Sequence, residues 1–122
     1  MSYKLEWFDN NPYASLEGDV TYIEINQVQN KFLSDPRYDH SKYAIINFSK
    51  VTSLNITEDQ IKIISEFDKG SARWNKEVRL ALIAQDKLIK EVLNTYSELM
   101  KEFGWNIKIF NKQDKAIEWC KK

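Results

Sequence analysis

A chain of 122 residues has the length of one ordinary domain, enough to bury roughly two-thirds of the surface that its unfolded form exposes. With 43% hydrophobic and 30% charged residues it belongs with globular proteins, and 18 Lys+Arg against 18 Asp+Glu leave no excess positive charge to meet a nucleic acid or an anionic membrane. One cysteine excludes an intrachain disulfide, one histidine beside it is too few for a structural zinc site, and no apolar run approaches the roughly 18 residues of a membrane span.

Residues 3 to 8 alternate Tyr3, Leu5 and Trp7 against Lys4 and Glu6, the period of a half-buried strand. The turn-forming run DNNP follows at 9 to 12, and Tyr13 to Glu17 reads as a return strand, so the chain opens on a hairpin. Gly18 to Thr21 ends it. Thr21 and Glu24 have capping-box spacing, and Tyr22, Ile25, Val28 and Phe32 predict a helix over about 22 to 33. The β-forming residues from Val20 to Ile25 argue for the competing reading, a strand that runs on.

The polar segment from Ser34 to Lys42, which contains Pro36, breaks the helix and returns the chain to the next strand. Ala44, Ile45, Ile46 and Phe48 make 43 to 48 a nearly continuous apolar strand, the kind that helices cover on both faces. A polar loop over Ser49 to Asn55 leads to Thr57-Glu58-Asp59-Gln60, a second capping box, and then to a helix with Ile61, Ile64, Phe67 and Ile63 as its buried stripe and Gly70-Ser71 as its stop.

Residues 77 to 84 are the second core strand. The helix over 86 to 103 keeps Leu88, Ile89, Val92, Tyr96, Leu99, Met100 and Phe103 at helical spacing, with Gly104 placed as a C-terminal cap. Trp105 to Phe110 alternates as a strand. Asn111 can cap a last helix whose Ala116, Ile117 and Cys120 point inward beside Trp119. The alternation predicts one α/β domain over 1–122, a hairpin followed by a mostly parallel sheet of about five strands with four helices.

Residues 44 to 61, in which Ile-Ile-Asn-Phe-Ser-Lys-Val-Thr-Ser-Leu at 45 to 54 leads into a capped helix, resemble the central unit of the SpoIIAA-like or STAS family, the anti-sigma-factor antagonist fold. The strand Arg79 to Ala84, the ending Ile109-Phe110-Asn111 and the run Asp114 to Trp119 are similar to an uncharacterised branch of that superfamily. The likeness spans residues 13 to 120 and implies a non-enzymatic regulatory or protein-interaction module. Family members that act as phospho-switches carry Asp-Ser-Ser-Gly at the start of the helix, where this chain has Asn55, Ile56, Thr57 and Glu58. Isoleucine accepts no phosphate, and a phosphate beside Glu58 and Asp59 would meet like charge, so the switch is not carried over. A register shift of one residue brings Thr57 to the acceptor position, where its hydroxyl is better explained as a helix cap.

If the sheet is parallel, loops around Asp19, Ser49 to Asn55, Asp86 and Asn111 gather at the carboxyl edge of its strands, the side on which open α/β proteins bind ligands. Helix capping explains Thr21, Thr57, Asp86 and Asn111. The expected protein-docking surface is therefore Asn47, Ser49, Asn55, Ile56 and Thr57. The alternative is a carrier of a small apolar, lipid-like molecule between the long helix and the sheet. His40 beside Asp39 lacks a second catalytic partner, Cys120 reads as a small hydrophobe, and Gly18, Gly70 and Gly104 are too scattered for a phosphate loop. The expectation is a protein without enzymatic activity, cofactor or metal, with a partner protein, no nucleic acid and no membrane span. With no apolar leader at Met1 to Leu5, a reducing cytoplasm is its expected setting. Dimerisation is left open, as is whether Trp7 and Trp74 are surface anchors or core.

Overall fold

The computed structural model describes residues 3–72, 77–103 and 105–122. β1 (Tyr3–Phe8) and β2 (Asn11–Thr21) form the opening hairpin, antiparallel, with Trp7 opposite Pro12. Asp9 and Asn10 take positive φ angles of 49° and 70° in the two-residue turn, as such hairpins require. Asn11 fastens that turn to the sheet. Its buried amide donates to the carbonyls of Phe8 and Asp9 at 2.9 and 3.0 Å and accepts from the backbone N–H of Lys42 and Tyr43 at 2.8 and 3.2 Å.

From β2 the chain steps one strand at a time through α1 (Tyr22–Ser34), β3 (Tyr43–Asn55), α2 (Glu58–Ala72), β4 (Arg79–Ile83), α3 (Lys87–Lys101) and β5 (Ile107–Phe110). The sheet order is β1-β2-β3-β4-β5, with β2 to β5 all parallel. Stepping in one direction with right-handed crossovers places successive helices on the same face. Ile25, Val28, Phe32, Ile64, Ile89 and Leu93 pack there against Ala14, Leu16, Ala44, Ile46, Leu80 and Leu82. The final helix, α4 (Gln113–Cys120), covers the opposite face with Ala116 and Cys120 on Ile45, Ala81 and Ile83.

Two of the three inner strands, β2 and β3, are longer than their periodicity predicts. β2 continues past Gly18, whose φ of +75° lies beside a bulge, and β3 continues through Ser49–Asn55, the segment expected to be a loop. The pairing advances from Ser15↔Asn47 to Glu17↔Lys50, then from Gly18↔Val51 to Asp19↔Ser53, so two extra residues are inserted in β3. Each bulge moves the inward side chain three positions along β3 instead of two. Phe48, Val51 and Leu54 consequently all face the helices.

Other expectations need correction. β4 and β5 are shorter than the apolar runs at 77 to 84 and 105 to 110. Ile63 and Phe67 are about half exposed; the buried stripe of α2 runs instead through Ile61, Ile64, Ser65 and Asp68. Gly70 lies inside α2 and does not stop it. Leu88, in the first turn of α3, is 71% exposed, outside the margin of the stripe formed by Ile89, Leu93 and Met100. α4 begins after Lys112 with no side-chain cap, so Asn111 does not cap it. The Pro36-containing segment that ends α1 holds a 3-10 turn, Pro36–His40, capped by the Asp35 side chain on the N–H of Arg37 at 2.9 Å. Gly104 and Trp74 lie outside the described residues.

Candidate functional site

At the carboxyl edge of the parallel strands, β2 and β3 project beyond β4 as a two-stranded arm. β4 pairs with β3 only from Tyr43 to Asn47, whereas β2 follows it to Asn55. Among the described residues, no strand pairs with the other edge of β3 from Lys50 to Asn55. Asp19 braces the arm by accepting from the hydroxyls of Ser53 at 2.6 Å and Thr52 at 3.3 Å.

An open groove of about 540 Å³ separates this edge and the first turn of α2 from the start of α3. Leu54, Ile61, Leu88 and Val92 supply its apolar surface; Glu58, Asp86 and Glu91 supply its charge, with no lysine or arginine among the described residues lining it. The turn into α2 is held by reciprocal bonds. Thr57 Oγ1 accepts from the N–H of Gln60 at 3.2 Å, and Gln60 Oε1 accepts from the N–H of Thr57 at 2.9 Å. The Asp86 carboxylate is committed to the N–H of Ile89 at 3.1 Å.

The residues expected to form one docking surface fall into different surroundings. Asn47 points to the α4 face, where its Nδ2 donates to the Tyr13 hydroxyl at 2.8 Å, which donates to Gln113 Oε1 at 2.8 Å. Ser49 sits beside the ends of β4 and β5. Gln85 Nε2 reaches its Oγ at 3.3 Å and the carbonyl of Asn111 at 2.5 Å. Asn55 lines the groove and donates to Ser53 Oγ at 3.3 Å, Thr57 is the helix cap just described, and Ile56 packs on the core. The groove thus adds Leu88, Glu58 and Glu91 to Asn55 and leaves Asn47 on the far side of the sheet.

A second space lies beneath the helices, an apolar cavity of about 80 Å³ between α1, α2, α3 and the sheet. Polar side chains interrupt its wall at one place. Asp68, only 5% exposed, accepts from the Tyr96 hydroxyl and from Gln29 Nε2 at 2.9 Å. Burial pushes the Asp68 carboxyl up to about 7, against the opposing pull of these two hydrogen bonds. Tyr38, which also lines the cavity, is raised to about 12 by burial and then by the charge of Asp68. Sequence reasoning missed this cluster. Its signal was available, since Asp68 occupies the stripe position four residues after Ile64, where an apolar side chain belongs.

Catalytic candidates find little support in their surroundings. His40 and Asp39 are exposed on the 3-10 turn. Cys120 is buried, and burial pushes its thiol up to about 11, away from the reactive thiolate. Trp7 is half-buried, edge-on to Phe32 with the Arg37 guanidinium 4.4 Å from its ring centre. Among the described residues no group of His, Cys, Asp or Glu could hold a metal ion, and no helix is long and apolar enough to cross a membrane.

No family model and no curated protein matches the chain. Solved structures do. The unphosphorylated form of the anti-sigma factor antagonist SpoIIAA is 15% identical over 98% of this chain and 97% of its own, with a TM-score of 0.61. The phosphorylated form of SpoIIAA, described as a Bacillus cell fate determinant, is 15% identical over 96% of this chain and 97% of its own, at 0.59. An uncharacterised Shewanella loihica PV-4 protein of the DUF3478 family is 16% identical over 97% of this chain and 91% of its own, at 0.54. Agreement over nearly the whole length of each chain, at identities too low to speak of activity, establishes that this chain has the SpoIIAA-like fold.

Proposed function

We propose that the protein is a regulatory interaction module that works by binding a partner protein, without turnover and without the phospho-switch of SpoIIAA. The observation that carries this reading is the unpaired edge of β3 from Lys50 to Asn55, lying along a groove with an exposed leucine and three acidic side chains. An extended segment of a partner can add to such an edge through its backbone. An apolar side chain of that segment would rest on Leu88, and basic ones would meet Glu58 and Glu91. The likeness to an anti-sigma factor antagonist supports a regulatory role of this kind.

Two local features support the absence of the switch. Ile56, at the position matched to the acceptor serine, packs against the core, and the Thr57 hydroxyl is engaged at the N-terminus of α2. A reducing cytoplasm, in which Cys120 stays a thiol, fits this reading.

Affinity capture from the host lysate tests the docking surface. Wild-type bait should retain a specific protein that Leu88→Asp with Glu91→Lys loses; both positions lie on the solvent side of α3, so the helix should fold unchanged. Equal capture by the wild type and the double variant would overturn the assignment.

A further inference from the structure

The cavity under the helices carries a separate inference. Three of its lining side chains, Gln29 of α1, Asp68 of α2 and Tyr96 of α3, form one hydrogen-bonded cluster. Both donors of that cluster point at the same acceptor, Asp68 Oδ2. The amide oxygen of Gln29 is buried and has no hydrogen-bond partner among the described residues. Buried acceptors are paired in almost all folded proteins, because an unpaired one keeps its full desolvation cost. A donor lying in the cavity would satisfy the Gln29 oxygen.

Apart from this cluster, the cavity wall is almost entirely apolar, with Ile46, Leu82 and Leu93 among its side chains. We propose that the cavity binds a small aliphatic molecule ending in a hydroxyl, which donates to Gln29 Oε1 while its hydrocarbon part lies against Ile46, Leu82 and Leu93. The space of about 80 Å³ suits a short chain and not a full acyl chain. Leu54, Ile61 and Val92 line both the cavity and the docking groove, so a longer chain would press on the wall that the two spaces share. The ligand site does not depend on the docking assignment.

The site can be tested on the intact protein by NMR titration with n-butanol and, separately, n-butyl chloride. An apolar void alone would prefer the more hydrophobic chloride. The proposal expects saturable shifts of the Ile46, Leu82 and Leu93 methyl groups, with n-butanol bound at least fivefold more tightly than the chloride. In Gln29→Leu, which removes the acceptor and keeps the bulk, that preference should reverse. Absence of saturable shifts would overturn the site. Tighter binding of the chloride by the wild type would reduce the cavity to a void and its orphaned acceptor to a water site, and if Gln29→Leu does not fold, this wild-type comparison still decides.

Discussion

Asp68 shows what a single misplaced charge can reveal. It occupies the stripe of α2 where spacing calls for an apolar side chain, and it stays there because Tyr96 and Gln29 supply hydrogen bonds from the two neighbouring helices. Those bonds do not fully offset its burial, which raises the carboxyl from near 3.8 to about 7. The native state therefore holds a proton that the unfolded chain has shed. The stability this proton contributes is complete below about pH 4 and is lost as the pH rises to about 7. Asp68→Asn keeps an acceptor for Tyr96 and cannot ionise. Urea unfolding should find the variant more stable than wild type at about pH 8, by on the order of a few kcal/mol, with the two converging near pH 4. Parallel pH profiles would show that the carboxyl is not held at a raised value. The sequence also carried the opposite lesson at this scale. Leu88 has helical spacing with Ile89 and Val92 yet faces solvent, since the pattern names a stripe but not where its margin falls.

At the scale of elements, the sequence revealed nearly every helix and strand and misjudged the two that matter most. The capping boxes at Thr21 and Thr57 and the aspartate cap at Asp86 place the helix starts correctly, because each is a local hydrogen-bond pattern. β3 was cut short for a nonlocal reason. Its bulges set Phe48, Val51 and Leu54 three residues apart, so a period of two vanishes at Ser49 although the strand does not end. The cause lies in the pairing with β2, where Gly18 holds a φ of +75° beside the second bulge. A β-carbon at Gly18 would meet no atom within 4 Å, so Gly18→Ala tests the backbone alone. Its cost should be about 1 kcal/mol in chemical denaturation. No loss of stability would mean that the arm can adopt another register.

For the whole molecule, the alternation of elements was enough to give the sheet, its parallel sense and the opening hairpin. The strand order was not legible, and it changes where a site can form. An order of β1-β2-β3-β4-β5 has no reversal, hence none of the crevices at which doubly wound sheets bind ligands. The protruding β2–β3 arm supplies the concave surface instead, which explains why Asn55 lines the groove and Asn47 does not. Hydrogen–deuterium exchange on the chain, alone and bound to its captured partner, tests this most directly. Amide exchange should slow at residues 50–55 of β3 and in the first turn of α3, as an added strand and a covered Leu88 require. Slowing confined to α4 and the face beneath it, with the arm unchanged, would contradict docking at the β3 edge.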